Sequence, residues 1–149
     1  MEVQFIEHGS AAYIGAAQLR YRVFYQPHGV DEDIINTQEE ADDCHVAILQ
    51  ERSRQVLAYG RLAHTAQQCT VHQMVVEPEW QGQGLGTLVL QILLERAKQL
   101  GCNSASLNAR VAQAGFYERH GFQSVGDVFP SAATGVDHVT METQIRHDS

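Results

Sequence analysis

The chain has one lysine, Lys98, three prolines, three cysteines and a single tryptophan in 149 residues. Lysine and arginine together number 10 against 18 aspartates and glutamates, a net charge of −8 with histidine neutral. Proteins that hold nucleic acid or an anionic membrane do so with clustered basic side chains that displace counterions. No such cluster occurs here, and the chain is expected to bind neither. No apolar run nears the roughly 18 residues of a membrane span, and Met1-Glu2-Val3-Gln4 is not the basic start of a secretory signal. Cys44, Cys69 and Cys102 are odd in number and widely spaced, which argues against a disulfide framework and for the reducing cytoplasm. Internal repeats and Pro/Gly/Ser-rich linkers are missing as well. Residues 1–149 therefore read as one domain, the usual size of which is about 100–150 residues.

What the sequence does contain is a regular alternation of strand and helix signals. Val3–Glu7 reads as a strand. Ser10 caps a helix from Ala11 to Tyr25 with Leu19, Val23 and Phe24 inward, and Pro27 and Gly29 stop it. Strands follow at His45–Glu51, Val56–His64 and Thr70–Val76, the first two joined by a turn at Arg52-Ser53-Arg54. The clearest helix spans Gly84–Leu100: Leu85, Leu88, Val89, Ile92 and Leu93 recur at helical spacing, Arg96 lies within the stripe, and Gly101 ends it. Ser104–Ala109 is a strand, Val111–His120 a short helix closed by Gly121, and Val136–Ile145 a last strand. That order gives an α/β sandwich with a mixed sheet, in which the strand before the long helix and the strand after it run parallel. Between Asp31 and Asp43 stand seven carboxylates. They read either as a solvated loop or as an acidic lip that draws in a cationic acceptor.

Chemistry concentrates in His72-Gln-Met-Val-Val-Glu-Pro-Glu-Trp-Gln-Gly-Gln-Gly-Leu-Gly-Thr87, a strand that runs through a glycine-rich turn into the long helix. Glycines let a ligand approach the backbone, and the free N–H groups of a helix start, with the helix dipole behind them, cradle a phosphate. An acidic protein can thereby hold an anionic ligand without lysines. A Walker loop is excluded because no Gly-Lys pair exists, and the dinucleotide fingerprint fails because Thr87 stands where its third glycine belongs. Cys69-x-x-His72 and Cys44-His45 lack the paired spacing of zinc modules, so no metal is expected.

Gln81-x-x-Gly84-x-Gly86 between strand and helix resembles the acyl-CoA pyrophosphate loop of the GNAT superfamily of N-acetyltransferases. Ala114-Gly-Phe-Tyr117-Glu-Arg-His-Gly121-Phe122 is similar to that family's Phe-Tyr-x-x-x-Gly-Phe segment. Leu19-Arg-x-Arg-Val-Phe24, Leu107-Asn-Ala109 and Gly135-Val-Asp-His138-Val-Thr-Met141 match its ElaA-like branch in order and spacing. The resemblance covers nearly the whole chain and implies the GNAT-type fold, a mixed central sheet flanked by helices. It implies acetyl-CoA as donor and a primary amine, on a small molecule or a peptide, as acceptor. Backbone of Met74, Val75 and Val76 would pair with the pantetheine arm. N–H groups of Gln81, Gly82, Gln83, Gly84, Leu85, Gly86 and Thr87 would hold the pyrophosphate, and Asn108 would reach the pantetheine amides.

Tyr117 would protonate the departing sulfur. Strand alternation puts His72 on the face of Met74 and Val76, and some family members use a histidine at this distance as base; others use water. His138 would line the acceptor pocket, and a homodimer is implied by the resemblance alone. The branch's Glu-Gln after Phe24 is replaced here by Tyr25-Gln26-Pro27-His28, so a relative's substrate does not transfer. A CoA-binding sensor or scaffold without catalysis is the alternative, and release of free thiol separates the two.

Overall fold

Two apolar layers, one on each face of a single sheet, organise the chain. The computed structural model describes residues 1–35 and 37–147. Its strands are β1 (Glu2–Ile6), β2 (Cys44–Leu49), β3 (Val56–Thr65), β4 (Gln68–Val76), β5 (Ser104–Arg110), β6 (Gln123–Ser124), β7 (Phe129–Pro130) and β8 (Asp137–Gln144). The helices are α1 (Ala11–Arg20), α2 (Leu85–Gln99) and α3 (Ala114–Glu118). The sheet runs β1-β2-β3-β4-β5-β8-β6, with β7 also paired to β8. Among the described strands only β4 and β5 pair in parallel, joined over one face by α2, as the crossover rule requires.

Helix α2 buries Val89, Leu90, Leu93 and Ala97 against Val46, Ile48, Leu62 and Leu107. Helix α1 buries Tyr13, Ala16 and Leu19 against Ala47, Leu49, Tyr59 and Val75 on the opposite face. Each large aliphatic side chain so buried contributes about 1.5–3 kcal/mol. Gly60 permits the closest approach of α2: a Cβ there would lie 2.9 Å from both Met74 Sδ and Val89 Cγ1. Ser10 caps α1 by accepting from the Tyr13 N–H at 3.2 Å.

Several expectations need correction. The first helix does not continue to Tyr25 as an α-helix. From Tyr21 to Tyr25 it widens into a π turn, closed by the Gln26 N–H on the Tyr21 carbonyl, a rare geometry that often marks functional sites. Gly29, at φ 71°, ends the segment. The helix expected at 111–120 is shorter, a 3₁₀ turn (Val111–Gln113) leading into α3. The strands β6 and β7, of two residues each, are too short to leave a periodic signal in the sequence.

Cys69 and Cys102 form a disulfide, with Cα atoms 6.3 Å apart. Cys69 pairs with Ala105 across the β4–β5 junction, so the cysteines meet where the parallel strands begin, whatever their separation in sequence. Only Cys44 is a free thiol, and the inference from cysteine pattern to a reducing compartment loses its basis.

The acidic run is only partly solvated. Glu40 is buried beneath α1, where it accepts from Tyr13 Oη and from both terminal nitrogens of Arg20, and Arg61 Nε lies 3.3 Å away. Asp43 accepts from Arg61 Nη1 at 2.8 Å. These two carboxylates latch the loop to the sheet.

Candidate active site

Strands β4 and β5 pair only as far as Thr70 and Ser106, yet they run on to Val76 and Arg110. The unpaired lengths enclose a wedge-shaped cavity of about 390 Å³. A bulge shapes one wall. Tyr59 pairs with Val75 but Arg61 with His72, so Gly60 alone opposes both Gln73 and Met74, and Gln73 takes φ 56°.

The bulge overturns the alternation argument for His72. Val71, Met74 and Val76 pack toward α2, whereas the charged neighbours of His72 are Arg61, Asp43, Glu40 and Arg20, all on the α1 side. Burial, aided by Arg61, holds its imidazole below the usual value. His72 does not line the cavity, while Met74, Val75 and Val76 do.

At the mouth of the wedge, Gly82 and Gly84 adopt φ 81° and 84° with open space over each Cα. The first bond inside α2 is from the Leu88 N–H to the Gly84 carbonyl, and among the described residues no side chain caps the helix start. The N–H groups of Leu85, Gly86 and Thr87 are thus left for a ligand, at the positive end of a 15-residue helix. Gln81, Gly82 and Gly86 line the cavity, and Gln81 Nε2 donates to the Val76 carbonyl at 3.3 Å, tying turn to strand. His120, which sequence reading did not single out, lies with Nε2 3.3 Å from Thr87 Oγ1, beside the same helix start. Asn108 lines the opposite wall and accepts from Thr140 Oγ1 at 2.8 Å.

Tyr117 lines the cavity from the α2 side, its ring edge-on to Phe116 at 5.0 Å and to Phe122 at 5.9 Å. Its hydroxyl has no hydrogen-bond partner among the described residues, and burial pushes it up to about 12, so it stays a neutral donor.

The far end is built by the π turn, which contributes Val23, Phe24 and Tyr25, and by the β7–β8 turn, which contributes Ser131 and Thr134. Gln73 bridges the end to the core, accepting from Arg20 Nε and donating to Tyr25 Oη, each at 3.2 Å. His138 Nδ1 lies 2.7 Å from the Val136 carbonyl. A carbonyl only accepts, so Nδ1 carries the hydrogen and Nε2 of the neutral ring has a lone pair to offer.

The cavity wall contains no aspartate or glutamate among the described residues. None of the seven carboxylates of the 31–43 run lines it: Glu40 and Asp43 are paired with Arg20 and Arg61, and Asp31, Glu32, Asp33, Glu39 and Asp42 are exposed outside the cavity. Among the described residues no group of three His, Cys, Asp or Glu side chains could hold a metal ion, and Cys69 is committed to its disulfide. None of the described helices is long and apolar enough to cross a membrane.

A parallel strand pair opened into a wedge, with a glycine-rich helix start at its mouth, is the frame of an acyl-CoA-dependent acyltransferase. The model of the acetyltransferase (GNAT) domain matches residues 14–145, and the chain belongs to that family of acyltransferases. Escherichia coli ElaA superposes with a TM-score of 0.81 at 21% identity, over 96% of this chain and 99% of that one. An acyl-CoA N-acyltransferase from Pseudomonas aeruginosa gives 0.80 at 24% identity, over 95% and 98%. An aminoglycoside 6'-N-acetyltransferase complexed with coenzyme A gives 0.79 at 16% identity, over 100% and 99%. The family uses acetyl-CoA, and the mixed eight-stranded sheet flanked by helices is the family's fold.

Proposed function

We propose that the protein transfers the acetyl group of acetyl-CoA to a primary amine by direct attack. One observation carries the reading: among the described residues no strand pairs with the β5 side of β4 beyond Thr70, and that open edge leads through the 3₁₀ turn Pro78–Trp80 and the glycine turn to the uncapped N–H groups of α2. The residues fit such a donor. Met74, Val75 and Val76 offer strand-edge backbone to the pantetheine amides, with Asn108 across the wedge. The backbone N–H groups of Gly82, Gln83, Gly84, Leu85, Gly86 and Thr87 would hold the pyrophosphate, while the Gln81 N–H is already given to the Pro78 carbonyl at 3.4 Å, and open space over Gly82 and Gly84 leaves room for the ligand.

When bound, acetyl-CoA supplies an acyl group activated as a thioester. The amine nitrogen bonds to the carbonyl carbon as the carbon–sulfur bond breaks. A backbone N–H near Val76 steadies the oxyanion, Tyr117 gives its phenolic proton to the departing sulfur, and His138 Nε2 takes the proton the nitrogen sheds. His138 replaces His72 in that role because it lines the cavity and His72 does not. A cytoplasmic site of action accords with this donor. The buried disulfide, whose cysteines are 1% and 0% exposed, is shielded from soluble thiols there.

Thiol release from acetyl-CoA with a panel of amines tests the proposal. Sustained, amine-dependent release is expected. Tight acetyl-CoA binding without release on any amine would favour the non-catalytic sensor instead.

A further inference from the structure

The acceptor end of the wedge carries an unbalanced cation. Arg110 ends β5 on the face opposite Leu107 and Ala109, which pack toward α2. Its guanidinium lies 4.7 Å from the centre of the Phe24 ring. Among the described residues no carboxylate pairs with it and no acceptor receives a hydrogen bond from it, whereas Arg20, Arg22 and Arg61 each hold a carboxylate. Burial works against its charge and outweighs the neighbouring Tyr25 phenol that favours it, and a guanidinium cannot shed that charge by deprotonating. A half-buried arginine facing a cavity without one acidic residue is the setting that calls for an anionic ligand. The donor's pyrophosphate does not meet this need, because its cradle is the start of α2, on the other face of the sheet.

We propose that the acceptor is an amine that also bears a carboxylate, and that Arg110 binds the carboxylate. The proposal rests on the transfer reading and names the acceptor class. His138 is the register partner of Arg110 across β5 and β8, so a carboxylate on Arg110 brings a nearby ammonium within the same end of the cavity as the base. Ser131 and Thr134 complete that end with neutral hydroxyls. A zwitterionic amino acid has no net charge, so the protein's net charge of −8 does not oppose its approach. The cavity of about 390 Å³ must hold the pantetheine arm as well, which favours a compact acceptor.

Thiol release from acetyl-CoA, measured with free amino acids, their amides, the matching decarboxylated amines and dipeptides, tests the assignment. The carboxylate-bearing acceptors should exceed the amides at least tenfold in kcat/KM. Dipeptides show whether the carboxylate belongs to a free amino acid or to a peptide terminus. Arg110→Gln should bring the acid-to-amide ratio to about one while acetyl-CoA affinity stays as in the wild type, and Arg110→Lys should restore part of the preference. A second measurement needs no turnover: N-acetylglycine and N-acetylglycinamide are titrated calorimetrically into the CoA-loaded protein. Only the acid should bind, and Arg110→Gln should abolish its binding. Amides or polyamines used as well as acids, or an Arg110→Gln defect in acetyl-CoA binding, would overturn the proposal. Selective binding of the acid with no turnover on any amine would instead uphold Arg110 and remove the transfer reading.

Discussion

Arg20 and Glu40 form a two-pronged ion pair beneath α1, Nη1 to Oε1 at 2.6 Å and Nη2 to Oε2 at 2.9 Å, with side chains 2% and 5% exposed. Through Nε, Arg20 also donates to Gln73, the residue at the bulge of β4. The pair thus joins the 31–43 loop, the first helix and the wall of the wedge. Glu40→Ala leaves a buried guanidinium unpaired and should cost about 3–5 kcal/mol. Urea denaturation reads the loss, and a cost below about 1 kcal/mol would put the pair among surface ion pairs in effect.

Acid should remove the same contribution. Burial by itself raises the Glu40 carboxyl, but hydrogen bonds from Arg20 and Tyr13 outweigh it and hold the group at about 2 instead of 4.5. With the folded value the lower one, its stabilisation is complete above 4.5 and is lost as pH falls toward about 2. At about 1.4 kcal/mol per pH unit the full loss is about 3–4 kcal/mol, of which about 2 kcal/mol falls above pH 3. His45 and His72 act earlier, since burial lowers both below 6.5 and the unfolded chain binds their protons first. Unfolding free energies measured from pH 8 to 3 should decline in two stages, and Glu40→Gln should lack the lower one. A flat profile would contradict the account.

Tyr117→Phe should lower turnover tenfold or more with little change in acetyl-CoA affinity. The hydroxyl makes no hydrogen bond among the described residues, so the variant should also melt within a degree or two of the wild type. Equal turnover would take Tyr117 out of the mechanism.

The disulfide predicts a thiol count. Unfolded without reductant, the protein should titrate one thiol, Cys44; after reduction it should titrate three. The bond closes a loop of 33 residues that contains α2 and the glycine turn, and reduction should cost about 3–4 kcal/mol on the chain-entropy estimate. Three thiols without reductant would remove the bond.

Much of the frame was legible because its signals are local. The apolar stripe of α2, the left-handed glycines at 82, 84 and 101, and the Ser10 cap are short-range patterns, and the parallel β4–β5 pair follows from the crossover. What sequence reading missed depends on partners far along the chain. The bulge at Gln73 exists only in register with Gly60, and it turned His72 away from the cavity. Glu40 looked solvated because Arg20 and Tyr13, 20 and 27 residues distant, are not visible as its partners until α1 docks. Cys69 and Cys102 likewise meet only through strand adjacency. Arg110 had a weak signal, two residues beyond Asn108 on the same strand face, but nothing local shows that it lacks a carboxylate.

The central claim is that the helix start at Gly84 holds acetyl-CoA. Thermal denaturation of the wild type and Gly84→Asp, each with and without acetyl-CoA, tests it most directly. The substitution sets a carboxylate against the cradle, on a backbone at φ 84° that suits glycine. At 100 times Kd the ligand stabilises by about 2.7 kcal/mol, and at about 2–4 °C per kcal/mol the wild-type midpoint should rise by about 5–10 °C. The account predicts that rise in the wild type and its loss in Gly84→Asp. No rise in the wild type, or an equal rise in both, would contradict it.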